Sequence, residues 1–201
     1  YKLTSKIHAD NDWVKDRLSK GHLYDITTNI FDKLPELFFN EKISDEYVGI
    51  YGRENNERIF KWIKKDYISE HENLNNYKVF VPKSNGSGSI GEVLSTPVIG
   101  HPVIGHTQTF ISMGSFKTEF EANSLLKYIK TKFTRCLLGI LKVTQDNKKS
   151  VWKLIPVEDF TAYSDIDWSK SVAEIDKQLY AKYGLTDDEI AFIEEKIKPM
   201  E

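Results

Sequence analysis

Tyr47-Val-Gly-Ile-Tyr51 alternates as a strand should, and Tyr77–Pro82 and Thr107–Ser112 read as two further strands. After the first of these, Ile59, Phe60, Trp62, Ile63 and Tyr67 fall on a helical period. This predicts a helix over Glu54–Ile68, with Arg58, Lys61, Lys64 and Lys65 on its remaining surface. The strongest helix signal opens with the capping box Thr118-x-x-Glu121 and runs through Leu125, Leu126, Ile129, Phe133, Leu137, Leu138 and Leu141. Val151–Val157, interrupted by Pro156, reads as extended. Two more capping boxes, Ser171-x-x-Glu174 and Thr186-x-x-Glu189, open the last helices, the second stopping at Pro199. Residues 1–47 mix polar and aromatic segments around Pro35 and read as turns and short elements. Strands and helices alternate without strict βαβ spacing, so the expected fold class is α+β (mixed α/β), a small β-sheet with packed helices. Three stretches are expected: an N-terminal part over 1–50, a core over 51–157 and a C-terminal helical segment over 158–201.

With 201 residues, 40% hydrophobic and 29% charged, the chain has the makings of an ordinary globular core. No apolar run approaches a membrane span and no charged-then-apolar leader is visible, so no membrane partner is expected. The single Cys136 excludes an internal disulfide, fits a reducing cytoplasm, and lies in an apolar run where a small buried hydrophobe is the simplest reading. The chain starts at Tyr1, without a methionine and already inside patterned sequence, which suggests a piece of something longer. The net charge of −2 conceals an asymmetry: Lys127–Lys153 holds eight bases against Asp146 alone, whereas Leu154 onward holds twelve acids against five bases. A basic stripe with an acidic far side is a pattern of polyanion-binding surfaces, and equally of a solvated helix face.

Catalytic chemistry is hard to assemble from these residues. The five histidines do not cluster with Cys or carboxylates at metal spacing, and His101 and His106 lie in a segment broken by Pro and Gly. Asp165 and Asp167 read as turn-forming and helix-capping acids ahead of Trp168. The glycine-rich segment Lys83–Glu92 contains Gly86-x-Gly88-x-x-Gly91, which matches the dinucleotide and protein-kinase glycine patterns. The following Glu-Val-Leu-Ser-Thr-Pro lacks the helix that a dinucleotide site requires, and the kinase partner motifs and the P-loop Gly-Lys-Ser/Thr are absent. After it comes a near-perfect pentapeptide duplication, Pro97-Val-Ile-Gly-His101 and Pro102-Val-Ile-Gly-His106, too short to signify a repeat architecture.

Several of these segments together carry a resemblance. Lys78-Val-Phe-Val-Pro-Lys-x-Asn-Gly-Ser-Gly-x-Ile-Gly-Glu92, Ile104-Gly-His-Thr-Gln-Thr-Phe110, Tyr128-Ile-Lys-Thr-Lys-Phe133, Lys142-Val-Thr-Gln-Asp146 and Asp165-Ile-Asp-Trp168 resemble, in this order, the Taq-like target-recognition region of type II restriction-modification enzymes. Those bacterial cytoplasmic proteins, commonly of type IIG, carry an adenine-specific DNA methyltransferase ahead of the specificity region. The resemblance runs from about Tyr51 to the end and touches Asn29–Pro35. The methyltransferase Asn-Pro-Pro-Tyr and Phe-x-Gly-x-Gly segments are missing, and no Pro-Asp…Asp/Glu-x-Lys nuclease core is evident. The resemblance therefore implies the DNA-reading part alone, with no cofactor of its own. S-adenosylmethionine, and Mg²⁺ where a nuclease is present, would belong to a methyltransferase portion of the same chain or a partner subunit.

On that reading, Lys83, Ser84, Asn85, Gly86, Ser87, Gly88 and Ser89 let duplex DNA approach the backbone closely, with small donors reaching phosphates. His106 and Thr107–Thr109 follow as a second contact, with Gln108 suited to the paired hydrogen bonds that read adenine. Arg53, Asn55 and Asn56 form a third, ahead of the predicted helix, where donors favour anions. Lys130, Lys132, Lys142 and Lys148 supply sequence-independent attraction. A module that docks the catalytic part without reading bases is the alternative, favoured if Trp62, Trp152 or Trp168 is exposed.

Overall fold

A computed structural model describes residues 1–84, 94–141, 146–147 and 149–200. The chain opens with three short helices, α1 (Ser5–Asp10), α2 (Val14–Arg17) and α3 (Ile30–Lys33). Helices of four to six residues do not persist alone. They are held by burying Ile7, Val14, Ile30 and Phe31 against Val48, Ile50 and Ile63 of the first sheet.

That sheet begins with the hairpin of β1 (Tyr47–Glu54) and β2 (Glu57–Lys64). The expected helix over Glu54–Ile68 is thus a strand. The reason lies in Asn55 and Asn56, whose φ of 50° and 65° put two consecutive residues in the left-handed region, the geometry of a two-residue hairpin turn that Asn tolerates better than most. Once the chain reverses there, period-two burial takes over: Lys61 and Ile63 are buried while Phe60 is 45% exposed. Lys61 is accommodated by its ion pair with Glu54 at 2.6 Å. Replacing Asn55 and Asn56 together by Ala should destabilise the protein by about 1–2 kcal/mol, whereas Asn56→Gly should be neutral or stabilising. Denaturant melts of the two variants test this, and equal stabilities would rule out the turn.

The duplicated pentapeptide divides its copies between two sheets. The first yields β4 (Val98–Gly100), antiparallel to β3 (Tyr77–Pro82); the second yields β5 (Ile104–His106), parallel to β1 with Gly49 opposite Ile104. Val103, at a φ of 64° unusual for a β-branched residue, turns the chain between them. The sheets have orders β2-β1-β5 and β4-β3-β6, with β6 spanning Phe110–Phe116. Tyr51, Phe80 and Phe110 form a small aromatic core of their own, with Tyr51–Phe110 and Tyr51–Phe80 centroids 4.6 and 5.7 Å apart. The third predicted strand starts three residues late, because Thr107–Thr109 form a turn in which Phe110 N–H donates to Thr107 O at 3.1 Å.

Helices cover the second sheet: α4 (Glu119–Lys130), α5 (Lys132–Leu141), α6 (Lys149–Trp152), α7 (Val172–Tyr183) and α8 (Asp187–Lys196). All three capping boxes form as the sequence indicates. The long predicted helix is broken at Thr131, which adopts φ −57°, ψ 149°. Its hydroxyl donates to Tyr128 O and accepts from Thr134 N–H, and Asp176 of α7 accepts from the N–H groups of Lys132 and Phe133. The expected extended run at Val151 instead begins inside α6. The resulting core joins Val79 and Val81 to Leu125, Ile129, Leu138, Ile175 and Leu179. Cys136 is buried there, and burial raises its thiol pKa, consistent with a packing role. The protein is α+β, and among the described residues no helix is long and apolar enough to cross a membrane.

Candidate nucleic-acid interface

The hairpin has two chemically distinct faces at its tip. Directly opposed residues of an antiparallel pair share a face, so Arg53 and Arg58 lie together on the side of Tyr51, and Glu54 and Glu57 on the other. The Arg58 guanidinium sits 5.7 Å from the centroid of Phe110 and donates to Thr96 O at 2.7 Å. Arg53 donates to Asn56 O at 2.8 Å, which ties its side chain to the turn. Two arginines facing each other repel unless an anion lies nearby, and both are exposed. The sequence pattern puts Arg58 on a helix surface, and only the hairpin register sets it beside Arg53. Arg53, Asn55 and Asn56 thus stand at a strand end and a hairpin turn, not ahead of a helix.

The other candidate segments are joined to the end of β1 through the main chain. Thr107 N–H donates to Tyr51 O, and Lys83 N–H donates to Thr109 O, both at 2.9 Å. Lys83 and Ser84 are exposed at the exit of β3, where Ser84 bridges to Asp146 and Asn147 N–H donates to Lys83 O. Gln108 is exposed at the corner and its N–H donates to Ile26 O. Its side chain adjoins Asp25, whose carboxyl is pulled down to about 2 by hydrogen bonds from Lys2 and His22, with a smaller contribution from Gln108. Asn85, Gly86, Ser87, Gly88, Ser89, Lys142 and Lys148 lie outside the described residues.

Two members of the expected set are inside the protein. Thr107 is fully buried, its hydroxyl donating to Thr109 Oγ1 at 2.9 Å. His106 is 8% exposed, bracketed by the rings of Tyr1 and Phe80, with Nδ1–H donating to Thr107 O at 2.8 Å. Burial pulls its pKa down to about 3, so the ring is neutral near pH 7 and carries no charge to a phosphate. Both residues position the 107–109 corner from within.

The basic stripe is resolved differently from its sequence pattern. Arg135 is buried, donating to the carbonyls of Lys130, Thr131 and Lys198. Lys127 donates to the carbonyls of Trp168 and Lys170, and Lys132 pairs with Glu194 at 2.5 Å. The C-terminal segment is therefore packed against the basic helices and supplies acceptors, the Glu194 carboxylate and the carbonyls of Trp168, Lys170 and Lys198, to three of their cations. Lys130 is half-exposed. Asp167 accepts from Ser169 N–H, as a turn-forming acid does, whereas Asp165 pairs with Lys182 of α7. Among the described residues no group of His, Cys, Asp and Glu is arranged to hold a metal ion. Searches against family models, curated proteins and solved structures return no match.

Proposed function

We propose that this chain is a non-catalytic, sequence-specific duplex-DNA recognition module of a restriction-modification protein, bacterial and cytoplasmic, working with an adenine methyltransferase on the same chain or a partner subunit. The observation that supports this is that exposed polar residues from three separate stretches, Arg53 with Arg58, Lys83 with Ser84, and Gln108, flank the place where main-chain bonds link Tyr51 to Thr107 and Thr109 to Lys83. Arg53, Arg58 and Lys83 are the phosphate-directed charges, and Gln108 is the candidate base reader. S-adenosylmethionine, and Mg²⁺ for cleavage, act in the partner portion. The rival docking module is favoured by the exposed apolar residues Leu154 and Val157, although Trp168 is buried and Trp62 and Trp152 are half-buried.

Titrating duplex DNA against the chain at several salt concentrations tests the assignment. Arg53→Ala and Lys83→Ala should weaken binding to every duplex and each lower the salt slope by about one. Gln108→Ala should alter preference at one base pair by about 1–3 kcal/mol, read from a randomised-duplex selection with the parent protein. Unchanged affinity in both basic variants would defeat the proposal.

A further inference from the structure

The strand β6 forms the edge of its sheet, and among the described residues no strand pairs with its outer side. Its seven residues, Phe-Ile-Ser-Met-Gly-Ser-Phe, contain neither charge nor proline, the devices that ordinarily protect a sheet edge. A groove of about 820 Å³ touches every residue from Phe110 to Ser115. Because successive side chains point to opposite faces, a pocket on one face would meet alternate residues; contact with six in succession places this one across the edge. His71 and Asn73 stand on one bank, Trp152, Lys153 and Val157 on the other.

Hydrogen-bonding groups are available there. Lys83 N–H donates to Thr109 O, so in the register Val81–Ile111 and Val79–Met113 the main-chain groups of Ile111 and Met113 face β3 and those of Ser112 face outward. Asn73 Nδ2 takes the Gly114 carbonyl at 3.3 Å and closes that end of the edge. At Trp152 the groove adjoins a second cavity of about 460 Å³, lined by Leu125, Tyr128, Ile129 and Phe160. The Trp152 Nε1–H is buried without an acceptor, an uncommon state for an indole donor. Val157, 89% exposed, stands where the two cavities join, and the exposed Lys153 beside it forms no ion pair among the described residues.

We propose that β6 accepts an extended peptide segment of a partner protein by strand addition. One large apolar side chain of the segment enters the aromatic cavity, and a neighbouring acidic residue faces Lys153. Outward main-chain groups match a peptide backbone, the cavity has room for a Phe or Leu side chain, and the free cation selects an acid. This surface is separate from the arginine pair and stands whether or not the chain reads DNA.

The probe is a fluorescein-labelled, end-capped heptapeptide of alternating Thr and Val with a central Phe followed by Asp, titrated against the whole chain by fluorescence anisotropy. Saturable binding is expected. It should be lost when alternate peptide amides are N-methylated, and weakened about tenfold by Lys153→Glu, which reverses the charge facing the acidic residue. Ser112→Pro removes an outward N–H, a place where an edge strand tolerates proline, and should abolish binding with the melting transition retained. Should that variant unfold, the N-methylated peptide on unaltered protein still decides. Equal binding of both peptides, absence of saturation, or displacement of the probe by duplex DNA would overturn the proposal.

Discussion

Asp176→Ala is expected to lower the unfolding free energy by about 3 kcal/mol and the melting temperature by about 6–12 °C. Asp176 is 2% exposed and accepts from Lys132 N–H at 3.0 Å and Phe133 N–H at 2.9 Å, so one carboxylate on α7 caps the start of α5. Alanine orphans both donors inside the protein and removes a counter-charge near the buried Arg135 guanidinium. Burial pushes the Asp176 carboxyl up from its ordinary value, against the pull of the two N–H donors. The folded state then holds its proton more tightly than the unfolded chain, so this group's contribution is greatest below the ordinary carboxylate range and declines as pH rises through the raised value. Asp176→Asn keeps one acceptor and the shape, should cost less than Ala, and should remove that pH slope. Chemical denaturation of both variants across the carboxylate range checks the two effects. An alanine variant as stable as the parent would show that the cap contributes nothing.

The second large effect concerns Gly52, where the hairpin passes closest to the 107–109 corner. A Cβ there would lie 2.5 Å from Phe31 Cε2 and 2.7 Å from Thr107 Cγ2, and both side chains are buried. Gly52→Ala should therefore cost about 2–3 kcal/mol through overpacking. Thr107→Ser removes one of the two obstructing groups, so in a double-mutant cycle it should recover part of the loss, a favourable coupling of about 1 kcal/mol. Strict additivity would place the strain on Phe31 alone.

Local signals are legible where a residue acts on its own backbone. The capping boxes at Thr118, Ser171 and Thr186 each satisfy N–H groups within three positions, so their helices were legible. The alternation at Tyr47–Tyr51 and the run at Tyr77–Pro82 likewise appear as strands, and Cys136 as a buried residue. Lys83, Arg53 and Gln108 are exposed, as polar surface residues are. The glycine loop itself lies largely outside the described residues.

Wherever partners distant in sequence compete, the tertiary structure decided. Ile59, Phe60, Trp62 and Ile63 satisfy a helical period and a strand equally well, and what separates the two is the pairing with β1 that a left-handed Asn55-Asn56 turn permits. Lys127, Lys132 and Arg135 look like a basic stripe until α8 and the chain around Trp168 and Lys198 supply acceptors. His106 and Thr107 look like polar contacts until β1 and the aromatic core close over them. The sequence by itself determined the helix starts, the main strand runs and the α+β class, because capping and alternation are short-range. Burial and charge neutralisation depend on which residues fold together, so the split of the duplicated pentapeptide between two sheets, the arginine face and the fate of the lysines were decided only by the three-dimensional packing.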